Sequence, residues 1–159
     1  MAINLAASSA TAASEEQSAS QSLRLIPALT FKMQAMFTIN REYTRAEIHA
    51  QLGGSTVSCL PTNRGAIVAA CLSKEFSPQA PHVMLCGKGA RTTPVSELFT
   101  RQTSAVPVFV KSASNRWQYR GQFRVDASFV SGAQFEGFVA ASSRSVASVS
   151  FVVLLKQVK

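Results

Sequence analysis

One short stretch of this chain concentrates side chains able to do chemistry. Tyr43, Arg45, His49, Gly53, Gly54 and Ser55 fall within residues 43–55. A Gly-Gly pair lets the backbone approach a ligand closely. Arg45 and His49, four residues apart, add a cation and an imidazole on one helix face. That is binding chemistry, directed at an anion or at a polar molecular edge. The same residues also read more plainly, as a capped surface helix ending in a glycine turn.

A second set lies further along. Arg116, Arg120 and Arg124 alternate with Gln118 and Gln122, so a regular strand would put the guanidinium groups in a row on one face. Such a row suits DNA phosphates; it is also what a solvated outer sheet face looks like. Lys88, Arg91 and Lys111, with Arg64, fall in expected turns or strand ends and extend the basic surface. On the opposite side of the same strand Trp117, Tyr119, Phe123 and Val125 read as core. Tyr119 is the ring best suited to a wet stacking site, because its hydroxyl tolerates water.

Composition bounds what these residues can serve. Sixteen Lys and Arg stand against eight Asp and Glu, a formal charge of +8 on 159 residues, and only 15% of the chain is charged. An anionic partner is the natural reading of so poorly neutralised a field. Glu15 and Glu16 lie in an Ala/Ser-rich leader, residues 1–22, too polar to offset its own ordering entropy and expected to be disordered. Residues 23–159, read as a single domain, then keep all 16 basic residues and only six acids.

Catalysis finds little support. None of the glutamates is followed two places on by lysine, as a common nuclease pattern requires, and no G-x-S-x-G elbow or phosphate-binding glycine loop occurs. No catalytic residues are assigned, and no cofactor is implied. A zinc site would need nearly all of Cys59, Cys71, Cys86, His49 and His82 to converge, so no metal is expected either. The cysteines read as reduced, mostly buried thiols of a cytoplasmic protein. The longest apolar run, Phe151–Leu155, has the length of a buried strand and not of a membrane span.

Positioning falls to a mixed, β-rich set of elements. Residues 23–39 read as a first strand, with or without a short helix before it, and Asn40 suits a turn with positive φ. Thr44-Arg45-Ala46-Glu47 is a capping box that opens a helix ending at Leu52, with Gly53 as the residue that stops it and Ile48 and Leu52 as its buried stripe. Residues 57–60 and 66–72 read as strands about a turn at 61–65, and 82–86 as a strand before the Gly87-Lys88-Gly89 loop. Thr93-Pro94 opens a second helix with Val95, Leu98 and Phe99 inward. Strands 106–111 and 116–125 form a hairpin at Asn115, and 129–153 reads as further strands. The sum is an α+β domain with a curved or barrel-like sheet.

One motif points further. Phe37-x-x-Asn40-x-x-Tyr43-Thr44-Arg45-x-Glu47-Ile48-His49-x-x-Leu52-Gly53-Gly54 resembles the opening motif of the SRA-like domains of McrA-type, modification-dependent restriction enzymes. Ser77-Pro78-x-Ala80-Pro81 with Leu85-x-Gly87, and Pro107–Lys111 followed by Trp117-x-Tyr119-x-Gly121, are similar to later parts of those domains. The resemblance covers about residues 37–125. It departs from the family at Asn40, where glycine is usual, and in carrying no HNH or other nuclease module.

The resemblance implies a PUA/SRA-like curved β-barrel with two or more short flanking helices. Such domains grip duplex DNA on a concave basic face and hold a flipped, modified cytosine in a pocket. Carried onto this chain, Lys88, Arg91, Lys111, Arg116, Arg120 and Arg124 would hold phosphates. Tyr43, Arg45, His49, Gly53, Gly54, Ser55 and Tyr119 would frame the base, and Asp126 would accept from its exocyclic amine. The expected function is a non-catalytic reader of 5-methylcytosine or 5-hydroxymethylcytosine in bacterial defence, at the nucleoid, with a separate nuclease subunit as a further partner. Reading of a phosphorothioate, binding of structured RNA, and docking of an acidic protein partner remain alternatives on the residues alone.

Overall fold

The computed structural model describes residues 37–159. The leader 1–22 and most of the apolar stretch 23–39 lie outside the described residues. Its last residues form a turn and not a strand: Arg41 N donates to Thr38 O at 3.0 Å, with Asn40 at φ 72°. A two-residue strand β1 (Glu42–Tyr43) leads into helix α1 (Arg45–Leu52). Thr44 caps α1 by accepting from Glu47 N at 3.2 Å, and Gly53, at φ 76°, ends it. The Thr44 half of the capping box and the glycine stop are both present, whereas no bond from Thr44 N back to the Glu47 side chain is seen among the described residues.

Residues 57–60 are irregular where a strand was expected. Ser55 Oγ accepts from the amides of Val57 and Ser58, which folds the chain into a local turn. Strands β2 (Thr62–Asn63) and β3 (Ala66–Ile67) make a small hairpin through Arg64 and Gly65, both at positive φ as a tight primed turn requires. Then follow β4 (Ala70–Leu72), β5 (Val83–Gly87), helix α2 (Thr92–Arg101), β6 (Val106–Ala113) and β7 (Arg116–Phe129). Beyond Phe129 the chain departs from the expected run of strands. It forms helix α3 (Ala133–Ala140), a 3-10 turn (Val146–Ser148) and one strand, β8 (Val149–Gln157). Phe135 and Val139, four apart and buried, give α3 its inward face.

The main sheet runs β4-β6-β7-β8-β5, with β1 added against β7; β4 is parallel to β6 and the other pairs are antiparallel. Its end strands β4 and β5 do not pair. Even so, Ala70 and Leu72 of β4 share one core with Met84 and Cys86 of β5, Val106 and Val108 of β6, Phe123 of β7 and Phe99 of α2. The sheet therefore curls until its two edges face a common interior and leaves a seam between them. This is an open barrel. Burying each large side chain here, Phe99 and Phe123 among them, contributes about 2–3 kcal/mol. Outside the barrel, α3 covers Val83, Leu85 and Val152. Phe37, Tyr43, Phe109 and Tyr119 form an aromatic cluster with ring centres 5.0–6.2 Å apart.

A bulge in β7 changes the expected faces. Phe109 pairs with Tyr119 and Val108 with Gly121, which leaves Arg120 as the extra residue. A bulge inverts alternation beyond it. Trp117 and Tyr119 thus share a face with Lys111 and Phe109, whereas Phe123 shares the opposite, interior face with Val106. Arg116, Arg120 and Arg124 do not form one row. Arg116 and Arg124 lie on opposite faces, with Arg120 at the bulge between them.

Candidate functional site

The seam between β4 and β5 holds a pocket of about 420 Å³. Cys71 and Leu72 of β4 and Met84, Leu85 and Gly87 of β5 line its sides. Ser73–Ser77 bounds it from the segment joining the two strands, and Lys111 and Trp117 close it from the β6–β7 hairpin. Three cations reach it: Arg45 from α1, Lys111, and Arg144 from the segment after α3. Glu75 is the one carboxylate in the lining, and among the described residues none of the three cations has an acidic partner within 4.0 Å. Among the described residues the single ion pair is Arg101–Glu97, on α2.

Arg45 is held tightly. Only 8% of it is exposed. Its Nη2 donates to the carbonyl oxygens of Ser55 at 2.9 Å and Ser58 at 2.7 Å, and its guanidinium carbon lies 5.3 Å from the centre of the Trp117 ring. Lys111 Nζ lies 5.9 Å from the same ring. Two cations thus lie within 6 Å of the Trp117 ring centre. Arg45 Nε and Trp117 Nε1 are buried without hydrogen-bond partners. At the mouth Phe76 is 51% and Val57 87% exposed, and Arg144 packs over the Phe76 ring at 5.3 Å while its Nη1 donates to Leu85 O at 3.3 Å.

The neighbouring surface continues the site. A second cavity of about 580 Å³ shares Val57, Cys59, Gly87 and Thr92 with the pocket and adds Ser55, Ser58 and Arg91. Together the two form a cleft between the 55–60 segment and the start of α2.

Of the residues picked out in the sequence, Arg45 and Lys111 meet in the pocket, and Ser55 and Arg91 line the adjoining cavity. Arg45 is buried and turned inward, not displayed beside His49 on the helix surface. His49 is exposed, with Nδ1 2.6 Å from Gly54 O. Gly53 and Gly54 serve the chain's own packing. A Cβ on Gly54 would stand 2.8 Å from Pro61 Cβ, and one on Gly53 2.6 Å from Asn63 Nδ2.

Tyr43 and Tyr119 belong to the aromatic cluster, and neither lines the pocket. Tyr43 Oη accepts from Thr38 N at 2.8 Å; Tyr119 Oη accepts from Gln122 Nε2 at 3.3 Å. Lys88, Arg116 and Arg124 are exposed away from it, and Arg120 is half-buried. Arg124 pairs directly with Lys156 across β7 and β8, a like-charge neighbour. Asp126 is exposed at a second bulge, between Val125 and Ala127.

The family described as "Domain of unknown function (DUF6697)" matches residues 42–148, from β1 to the 3-10 turn before β8. That span holds every residue lining the pocket. The chain belongs to the DUF6697 family. No curated protein matches it. Among solved structures the DUF6697 chain is similar to the SRA domain of SUVH5, determined in complex with hemimethylated CG DNA. The TM-score is 0.50 and the identity 12%, over 76% of this chain and 87% of that one. At that identity the likeness is one of fold: this domain has an SRA-like α+β fold.

Sequence reasoning passed over several of the pocket's residues in this DUF6697 domain. Alternation along 116–125 groups Trp117 with the core residue Phe123, and the bulge at Arg120 separates the two onto opposite faces. Phe76 and Arg144 come from irregular segments with no periodicity to mark them. The thiols of Cys59 and Cys71 also face the pocket. Cys59 is exposed, unlike the other two cysteines; Cys71 and Cys86 are buried, and burial pushes their thiols up to about 12. Such thiols stay protonated and inert at neutral pH. Among the described residues no group of His, Cys, Asp and Glu is placed to hold a metal ion, and no helix is long and apolar enough to cross a membrane.

Proposed function

We propose that this domain reads a modified base in duplex DNA, taking the base out of the stack and into the seam pocket. The observation that carries the reading is the pocket itself: a cavity of about 420 Å³ in an SRA-like open barrel, walled by Trp117 and by three cations that have no acidic partner among the described residues. Ligand pockets run from about 300 to 1,000 Å³, so a nucleotide is a reasonable occupant. The SUVH5 SRA domain, alike in fold, was determined with hemimethylated DNA.

In this reading the indole of Trp117 supplies a stacking face, and Arg45 fixes the polar edge of the base. Phe76 and Val57, exposed at the mouth, fill the gap the base leaves in the duplex. Phosphates are held by Arg91 beside the cleft, and Lys88, Arg116, Arg120 and Arg124, away from the pocket, extend the positive field. Tyr43, Tyr119, His49 and the Gly53-Gly54 turn act by holding β1 and α1, and so Arg45, in place. The setting that suits such a chain is modification-dependent restriction, in which a separate nuclease cuts what this domain marks.

The test is equilibrium binding, by fluorescence anisotropy, to duplexes identical except at one cytosine. The modified duplex binds more tightly than the plain one. If five phosphates are contacted, log K falls with log[salt] with a slope of roughly −4 to −5, about −0.9 for each. Absence of binding to either duplex at low salt removes the reading.

A further inference from the structure

We infer that the seam pocket selects a base whose inserted edge carries negatively charged acceptor oxygens, an oxidised pyrimidine of the 5-carboxylcytosine type, in preference to the methylated base. This rests on the base-reading function proposed above and names the class of base.

The polar groups facing the pocket are skewed toward donors. Arg45, Lys111 and Arg144 bring three cations against the one carboxylate of Glu75. Arg45 is more than nine-tenths buried, and its Nε has no partner. Trp117 Nε1, against the same guanidinium, has none either. The hydroxyls in the lining are already engaged: Ser73 Oγ accepts from Glu75 N at 3.3 Å, Ser77 Oγ accepts from Leu85 N at 3.0 Å, and Thr92 Oγ1 donates to Gly87 O at 3.3 Å. Arg45 Nε and Trp117 Nε1 are closed off from the cavity, but the ends of Lys111 and Arg144 line it: three cations gathered against one carboxylate call for negative charge, and the N–H groups at the wall call for acceptors. An occupant offering acceptor oxygens and negative charge supplies both.

A methyl group answers neither need. It brings only apolar surface to a wall of cations and N–H groups. A carboxylate on the pyrimidine ring offers two acceptor oxygens and a negative charge, and charge-assisted hydrogen bonds to guanidinium or ammonium groups are the strong ones. The nucleotide's own phosphate could neutralise the cations too. It is common to methylated and carboxylated sites, however, and cannot discriminate between them.

The experiment measures affinity for three duplexes differing at one position, cytosine, 5-methylcytosine or 5-carboxylcytosine, for the unaltered protein and for Lys111→Gln. Lys111 is exposed on the sheet, so the variant is expected to fold, which a melting curve confirms. The carboxylated duplex binds about tenfold or more tightly than the methylated one, and Lys111→Gln shrinks that ratio severalfold. Methylated binding equal to or tighter than carboxylated, with both tighter than plain, overturns this inference and leaves the base-reading function standing. Equal binding to all three overturns the base-reading function itself. A preference for the carboxylate that Lys111→Gln leaves unchanged, and that Arg144→Gln also leaves unchanged, overturns the assignment to this pocket.

Discussion

The guanidinium of Arg45 lies 5.3 Å from the centre of the Trp117 ring, and each of the two side chains keeps one buried nitrogen, Nε and Nε1, without a partner. They come from distant parts of the chain. Arg45 is the first residue of α1, and Trp117 stands near the start of β7, paired with Tyr43 of β1. Asn115 ties the two elements together, its Oδ1 accepting from Arg45 N at 3.2 Å. The contact that joins helix to barrel is thus also a wall of the pocket, and it places stacking and donor groups side by side.

Trp117→Phe separates the roles of the indole. The ring face remains, and the unpaired N–H is gone. Losing a donor that has no partner does not cost a hydrogen bond, so stability changes by less than about 1 kcal/mol in a denaturant titration. Nε1 is closed off from the cavity, so affinity for modified and plain duplexes changes by less than about 2-fold while a ring face is kept. A selective loss on the modified duplex would show that the nitrogen does contact the base.

Gly54→Ala tests the assignment of the glycine turn to packing. At φ 82° its Cβ would meet Pro61 Cβ at 2.8 Å and the backbone of Thr62 at 3.1 and 3.2 Å. Strain and overlap together cost about 2–4 kcal/mol. Gly65, at φ 78° with nothing within 4 Å of its Cβ, bears only the conformational penalty, so Gly65→Ala costs about 1–2 kcal/mol. Equal melting temperatures for the two variants would refute the close approach at residue 54.

Stability declines in alkali through the buried thiols. Cys71 and Cys86, held up to about 12 from an ordinary 9.0, keep their protons more firmly in the folded chain than in the unfolded one. Their contribution is fully present below pH 9 and is lost as pH rises from 9 toward 12, because only the unfolded chain gains from releasing the proton. Urea midpoints measured across that window should fall less steeply for Cys86→Ala than for the unaltered protein. Parallel slopes would mean that the thiol is not buried as described.

Much of the fold is legible in local signals. The Thr44 cap, the Gly53 stop, the positive φ of Asn40 and the hairpin at Asn115 each follow from a residue acting on its own neighbourhood. The inward stripe of α2 follows from spacing, with Phe99 buried and Val95 and Leu98 packed beside it. The faces of β7 do not, because the bulge at Arg120 is set by its pairing with β6 and nothing local announces it. The pocket is the least legible part. It exists because two unpaired strand edges converge, and it gathers Arg45, Phe76, Lys111, Trp117 and Arg144 across 100 residues of chain. Arg144 in particular sits in a Ser-rich segment without periodicity, where only the curl of the sheet brings it to Leu85.

Trp117 is the one tryptophan in the chain, and it lines the pocket, so its emission reports directly on whether a base enters. The decisive measurement is a titration of that emission with duplexes carrying a plain or a modified cytosine, each at concentrations that saturate the protein by anisotropy. A base stacked against the indole quenches or shifts its emission for the modified duplex, and the plain duplex, bound through phosphates alone, leaves it nearly unchanged. Identical emission with both saturated complexes would contradict base reading in the seam pocket.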